Sequence, residues 1–236
     1  METTVDGVQC EYEMCRAHDD TNTVVLFLHG WGGGLSSFAG AYKAASDWGV
    51  NCVNFAFPKK VPSSWGVYEY AACVRDFMLE QGIEKPIIVG HSFGGRVAII
   101  LAAQGLAQKI MLVDSAGLKP KFSLKKKIRI ARYHHRVKRG KSLDGFGSTD
   151  YNKVDTDMRG VFVRIVNTHL DRLLPYIKCQ TLIFWGKRDR DTPPYMAKRL
   201  LRGIENSSLI MTDGGHYSYI DCKYKFTLQL KNFVTE

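Results

Sequence analysis

The feature that most constrains this chain is a series of short runs that are apolar at nearly every position. "TVVLFLHG" (23–30), "VNCVNFAF" (50–57), "PIIVG" (86–90), "KIMLVDSA" (109–116), "QTLIFWG" (180–186) and "SSLIMTDGG" (207–215) each contain one. A strand with one wet face alternates apolar and polar residues. A strand that is apolar throughout has both faces covered, as in a parallel sheet between helical layers. The intervening stretches supply helices: Leu35–Trp48, Val67–Gln81 with Gly82 as its stop, Arg96–Ala103, Pro193–Arg202 opened by Pro193-Pro194, and Ile220–Val234. "VDGVQCEYEM" alternates and holds an Asp-Gly pair, which predicts an opening β-hairpin. Together these predict an α/β fold with a mostly parallel central sheet and helices on both faces.

With 236 residues, 45% of them hydrophobic, the chain has enough material for one domain and a sizeable core, with room for an inserted lid. No run of 18 apolar residues occurs, so no transmembrane segment is expected, and the acidic, mixed start has no secretory-leader pattern. Six cysteines (10, 15, 52, 73, 179, 222) are scattered, without a C-x-x-C pair or a Cys/His cluster of metal spacing. They are expected to be reduced thiols of a cytoplasmic protein that needs no metal and no cofactor. The formal net charge is +10, and its distribution is uneven. Ser115 to Leu143 holds eleven Lys/Arg and no acid, which leaves 22 basic against 23 acidic residues elsewhere.

One turn points to chemistry. In "PIIVGHSFGGRVAII" (86–100), Gly90-His91-Ser92-Phe93-Gly94 fits G-x-S-x-G between a buried strand and an apolar helix. In that setting a serine sits on a sharp strand-to-helix corner with its oxygen exposed, and the glycines avoid collisions in the corner. A serine hydroxyl needs a base, and the base needs a partner that holds its tautomer. The order expected for such an elbow is Ser, then Asp or Glu, then His. Downstream, the 180–186 strand ends in "KRDRD", and the 207–215 strand ends at His216. In a parallel sheet both places share an edge with Ser92. His216 follows Gly214-Gly215, which lets its loop turn back, and is the expected base. Asp189 is the preferred acid. Asp191 competes for that role or caps the helix that Pro193 opens, and Asp114 is a third option. Donors for a developing oxyanion are expected from the backbone N–H of Phe93 and from the "HGWGGG" loop (29–34), through Trp31 or, second, Gly32. His29 is expected to order that loop.

The set HGWGGG (29–34), GHSFGG (90–95), WGKRDRDTP (185–193) and GGHYSYID (214–221) closely resembles the α/β-hydrolase fold superfamily, from about Val24 to the C-terminus. The resemblance implies Ser92 as nucleophile, Asp189 as acid, His216 as base, and the Trp31 and Phe93 amides as oxyanion hole. A serine rather than an aspartate at the elbow argues against the dehalogenase and epoxide-hydrolase branches. Residues 115–178 fall where this superfamily carries its cap, so the core is expected at 1–114 and 179–236 with a small helical cap between. Met158, Val161, Ile165 and Leu170 recur at helical spacing, and their face is a candidate pocket wall or, as such stripes more often are, plain core. The wider substrate pocket is assigned to His29, Gly32, His91, Met158 and Phe162.

The expected activity is hydrolysis of small carboxylic esters through an acyl-enzyme, with a small-molecule ester as partner. Two other activities use the same residues: a thioesterase or acyltransferase on acyl carriers, and a C–C hydrolase or lyase on an acidic substrate. "GHSFGGR", with Arg96, is similar to menaquinone-pathway enzymes of this fold that act on acidic substrates. A non-catalytic scaffold fits poorly with a complete Ser-His-Asp set. The basic stretch 115–143 reads as a solvated amphipathic helix, with Phe122, Leu124, Ile128, Ile130 and Tyr133 partly buried, or as a recruiter of anionic substrate. It has no interleaved aromatics and no nucleic-acid motif, so nucleic acid is not an expected partner.

Overall fold

The computed structural model describes residues 1–17, 23–121, 132, 135–136, 138–139 and 154–235. Eight strands form one sheet: β1 (Glu2–Val5), β2 (Val8–Cys15), β3 (Val24–Leu28), β4 (Asn51–Ala56), β5 (Ile87–His91), β6 (Lys109–Val113), β7 (Gln180–Gly186) and β8 (Ser207–Thr212). Their order across the sheet is β1-β2-β4-β3-β5-β6-β7-β8. β1–β2 and β2–β4 pair antiparallel, and every other neighbouring pair is parallel. The predicted hairpin is present. Asp6 and Gly7 both have positive φ (49° and 77°), the geometry of a two-residue turn whose twist matches its strands.

The α-helices bounded within the described residues are α1 (Ala39–Asp47), α2 (Val67–Glu80), α3 (Phe93–Ala103), α4 (Arg159–Asn167), α5 (Tyr195–Gly203), α6 (Ser218–Asp221) and α7 (Lys223–Thr235). Strand residues alternate between two apolar clusters. Leu26, Leu28, Ile88, Ile110, Leu112, Ile183 and Trp185 pack against α2, α3, α4 and α5. Val25, Phe27, Ile87, Val89, Met111, Val113 and Phe184 pack against Phe38, Ala45 and the inner side of α7. Both faces are covered, which is why the runs read as apolar throughout. Val161 and Ile165 of α4, together with Leu170 and Leu174, are buried in the same cluster as α3.

Several helix boundaries differ from expectation; α5, for one, begins at Tyr195, two residues after Pro193. The 35–48 helix is a 3₁₀ turn (Leu35–Ser37) followed by α1, and the last helix is broken at Cys222 (φ −121°, ψ 44°). α3 starts at Phe93, three residues before the expected Arg96, directly after the serine. Phe122, Leu124, Ile128, Ile130 and Tyr133, the apolar residues of the expected basic helix, lie outside the described residues, as do His18 and His134; Arg132, His135, Arg136 and Lys138 are described and helical. All six cysteines are unbridged; Cys10, Cys52 and Cys73 are buried. Among the described residues no helix is long and apolar enough to cross a membrane.

Chain direction places the site. From β3 the chain moves outward to β4, then returns to β5 on the other side of β3. The two crossovers diverge at the carboxyl ends of β3 and β5, which opens a crevice there.

Candidate active site

Ser92 sits in that crevice at φ 48°, ψ −103°, a strained region for a residue with a Cβ. Such strain costs about 1–3 kcal/mol and persists only where neighbours fix it. Here Ser92 N–H donates to the Val113 carbonyl (3.1 Å), and Ala116 N–H donates to the Ser92 carbonyl (3.0 Å). The glycines answer a packing demand: a Cβ on Gly90 would meet the Gly94 carbonyl oxygen at 2.6 Å, and one on Gly94 would drive into the Leu28 carbonyl.

The three side chains expected to act together form one hydrogen-bonded chain. His216 Nε2 lies 3.0 Å from Ser92 Oγ, and His216 Nδ1 lies 2.9 Å from Asp189 Oδ2. Asp189 is only 3% exposed. Its Oδ1 accepts the N–H groups of Asp191 (2.8 Å) and Thr192 (2.9 Å), and its Oδ2 accepts the Thr192 hydroxyl (2.6 Å). Burial opposes ionisation of Asp189, but the His216 and Thr192 hydrogen bonds outweigh it and hold its pKa below the usual carboxylate range. Burial likewise opposes protonation of His216. The hydrogen bond and charge of Asp189, helped by Asp191 and Asp114, prevail and raise the His216 pKa above that of an ordinary histidine.

The alternative acids have other places. Asp191 is exposed, and α5 has no side-chain cap, so the expected capping role is not met: Pro194 occupies the N-cap position. Asp114 is fully buried and does not touch the histidine ring; its carboxylate accepts N–H groups of Gly186 and Ser218. Asp189, Asp191 and His216 are also the one group of ligand-type atoms within 4.8 Å of one another among the described residues, and two of them are already hydrogen-bonded to each other.

The glycine-rich loop is held by His29. Its Nε2 accepts the Phe57 N–H (3.0 Å), so Nδ1 carries the proton and donates to the Gly30 carbonyl (2.7 Å). Burial lowers its pKa to about 4, which keeps the ring neutral. His91, also buried, donates from Nε2 to the His216 carbonyl (2.8 Å); burial and the nearby His216 lower its pKa to about 3. Trp31 packs edge-on against Phe93 (5.4 Å) and Tyr70 (6.1 Å), which fixes the loop beside the N-terminus of α3. Among the described residues neither the Trp31 nor the Phe93 amide donates to a backbone carbonyl.

Two cavities that share Trp31, Gly32 and Tyr217 in their walls lie there. One, of about 180 Å³, is lined by Ser92, His216, Trp31, Gly32, His91 and Asp191 among others. The other, of about 430 Å³, extends from Trp31, Gly32 and Phe93 past His29, Phe57 and Tyr70 to Val154 and Met158. Tyr217 borders both. Phe162 does not line the described cavities; it backs Trp31 at 5.4 Å. Arg96 lies away from both and donates to the Thr168 carbonyl (2.7 Å). Thr192 and Tyr217 were missed from sequence. Thr192 carried a signal, since a residue three after an aspartate suits a local side-chain-to-backbone turn.

A doubly covered, mostly parallel sheet with a serine on a strained strand-to-helix corner defines the α/β-hydrolase class. The chain belongs to the alpha/beta hydrolase family, whose model matches residues 25–223. Curated relatives include the 2-hydroxy-6-oxononadienedioate/2-hydroxy-6-oxononatrienedioate hydrolase of Escherichia coli, 42% identical over 62 residues. That match covers 26% of this chain and 22% of the relative, so the chain is matched to about a fifth of that protein's length. Solved structures extend further. The enol-lactonase of Burkholderia xenovorans (TM-score 0.78, 20% identity) and an esterase of Exiguobacterium antarcticum (0.79, 19%) each align over 100% of both chains. A meta-cleavage product hydrolase of Pseudomonas fluorescens (0.73, 18%) aligns over 99% of this chain and 97% of its own. These likenesses carry the fold.

Proposed function

We propose that this protein is a serine hydrolase that cleaves small carboxylic esters through an acyl-enzyme. The observation that carries this reading is the continuous Ser92–His216–Asp189 hydrogen-bonded chain opening onto the cavity beside Trp31 and Gly32. Asp189 keeps the proton on Nδ1, so Nε2 faces Ser92 with a lone pair. His216 takes the Ser92 proton as Oγ attacks the ester carbonyl. The developing oxyanion receives the N–H groups of Phe93 and Trp31, with the positive end of the α3 dipole behind Phe93. The imidazolium then protonates the leaving alcohol. Water deprotonated by the same nitrogen cleaves the acyl-enzyme and restores Ser92.

The 430 Å³ cavity, with Phe57, Tyr70, Phe93 and Met158 on its walls, suits the acyl group. Residues 115–178 act as the cap, and Val154 and Met158 supply its contribution to that wall. The unbridged cysteines suit a reducing compartment such as the cytoplasm. A second reading is favoured by the match to a dienedioate hydrolase and the likeness to a meta-cleavage product hydrolase: the same residues cleaving a C–C bond in an acidic substrate. A panel of p-nitrophenyl esters of graded acyl length, acyl-CoAs and a 2-hydroxy-6-oxo-dienoate separates these readings. The ester reading expects turnover of short esters at least tenfold above the others in kcat/KM. Turnover of the dienoate alone would replace it with the second reading.

A further inference from the structure

The mechanism above leaves one buried carboxylate unused. Asp114 follows β6 at φ 43°, a left-handed backbone that is uncommon for a residue with a Cβ, and its side chain is 0% exposed. It lines neither cavity, so it does not touch substrate. Its partners are specific. Oδ1 accepts the N–H of Gly186 (2.8 Å), three residues before Asp189. Oδ2 accepts the N–H of Ser218 (2.9 Å), two residues after His216. The residues on either side of Asp114 hold the third member, since the Val113 carbonyl and the Ala116 N–H are the two backbone partners of Ser92.

We infer that Asp114 is a positioning residue that fixes the nucleophile, acid and base loops relative to one another at a single point behind the site. The two outer loops depend on that point. They pack backbone to backbone, because a Cβ on Gly186 would drive into the Gly215 carbonyl. They are joined by Lys187 N–H to the Thr212 carbonyl (2.8 Å) and Arg188 N–H to the Gly214 carbonyl (3.0 Å). Among the described residues the Asp114 carboxylate is the side chain at the end of β6 that hydrogen-bonds to both. Both of its partners are N–H donors, so an ionised carboxylate satisfies them and an amide satisfies one. Asp189 and His216 face Asp114 from the β7 and β8 loops, and Tyr219 faces it from α6. Burial, reinforced by the charge of Asp189, raises the Asp114 pKa to about 7 against the pull of the Ser218 and Gly186 hydrogen bonds.

The inference rests on the serine-hydrolase reading, and the test separates the two. Wild type and Asp114→Asn are compared for fluorophosphonate labelling rate, kcat and KM on a p-nitrophenyl ester, the pH profile and Tm. The expected result is a kcat 10- to 100-fold lower with KM within about twofold, because a shift near 1 Å in reacting groups costs about that much. Labelling should slow in parallel. The acid limb should move to lower pH, since the Asp114 charge favours the His216 imidazolium. A folded Asp114→Asn with wild-type kcat, or with a lowered Tm and an unmoved acid limb, would overturn the positioning role. Should the variant not fold, Asp114→Glu, which keeps the charge and lengthens the arm, decides: a folded Glu variant with kcat and labelling rate lowered together supports the inference, and one with wild-type kcat and labelling overturns it. A wild type that fluorophosphonate does not label would instead sink the serine reading.

Discussion

Replacing Asp189 with Asn tests the acid by geometry, because the side chain keeps its shape. The carboxylate accepts four bonds: Asp191 and Thr192 N–H groups on Oδ1, and the Thr192 hydroxyl and His216 Nδ1 on Oδ2. An asparagine must put its NH₂ at one end. Facing His216, that NH₂ donates to Nδ1, moves the imidazole proton to Nε2 and leaves no base for Ser92. Facing the two backbone N–H groups instead, it restores the base but leaves two buried donors unpaired, at about 1–3 kcal/mol each. The productive orientation is therefore disfavoured by on the order of 2–6 kcal/mol, and kcat should fall by roughly 10³–10⁴. The assay is kcat on a short p-nitrophenyl ester, with Tm to show that the variant is folded. Asp191→Asn, at an exposed side chain, should lose less than tenfold. A folded Asp189→Asn within tenfold of wild type would refute the tautomer argument, and a larger loss at Asp191 would move the acid there.

The base must be neutral to act, and the His216 pKa is raised, so the acid limb of kcat/KM should have its midpoint above the ordinary histidine value of about 6.5; a midpoint below 6 would contradict this. Gly94→Ala drives a Cβ into the Leu28 carbonyl and should cost about 3 kcal/mol or more, seen as a Tm lower by about 6–12 °C; an unchanged Tm would show that the elbow relaxes freely. If the basic stretch recruits anionic esters, their kcat/KM should fall between 0.01 and 0.15 M salt as the Debye length shrinks from about 30 to about 8 Å, while a matched neutral ester stays level. Replacing Lys125, Lys126 and Lys127 with Gln should flatten that dependence, and equal salt sensitivity of the two esters would leave the stretch a solvated surface.

The sheet was legible because burial on both faces writes itself as unbroken apolar runs, and the hairpin because Asp6-Gly7 supplies two positive φ angles. The elbow and its partners were legible because strand ends in a parallel sheet share an edge. Other features were not. The start of α3 at Phe93 is hidden because Gly94 and Gly95 are poor helix formers; the tight approach of α3 to Leu28 and Ser115 demands glycine there and overrides propensity. The helix break at Cys222 leaves no Gly or Pro to announce it. The part played by His91 is set by a carbonyl 125 residues away, which no local pattern reveals. Asp114 read as a competing acid because strand-end position identifies the right edge of the sheet but not the direction of a side chain.

The proposed activity requires Ser92 to be a nucleophile, and the most direct measurement is mass spectrometry of the purified protein after reaction with a fluorophosphonate. One adduct per chain on the peptide that contains Ser92 is expected. Ser92→Ala should show no adduct and an ester kcat lower by on the order of 10⁴ or more, with Tm retained. A wild type without the Ser92 adduct, or a Ser92→Ala protein that still hydrolyses esters at the wild-type rate, would contradict the account at its centre.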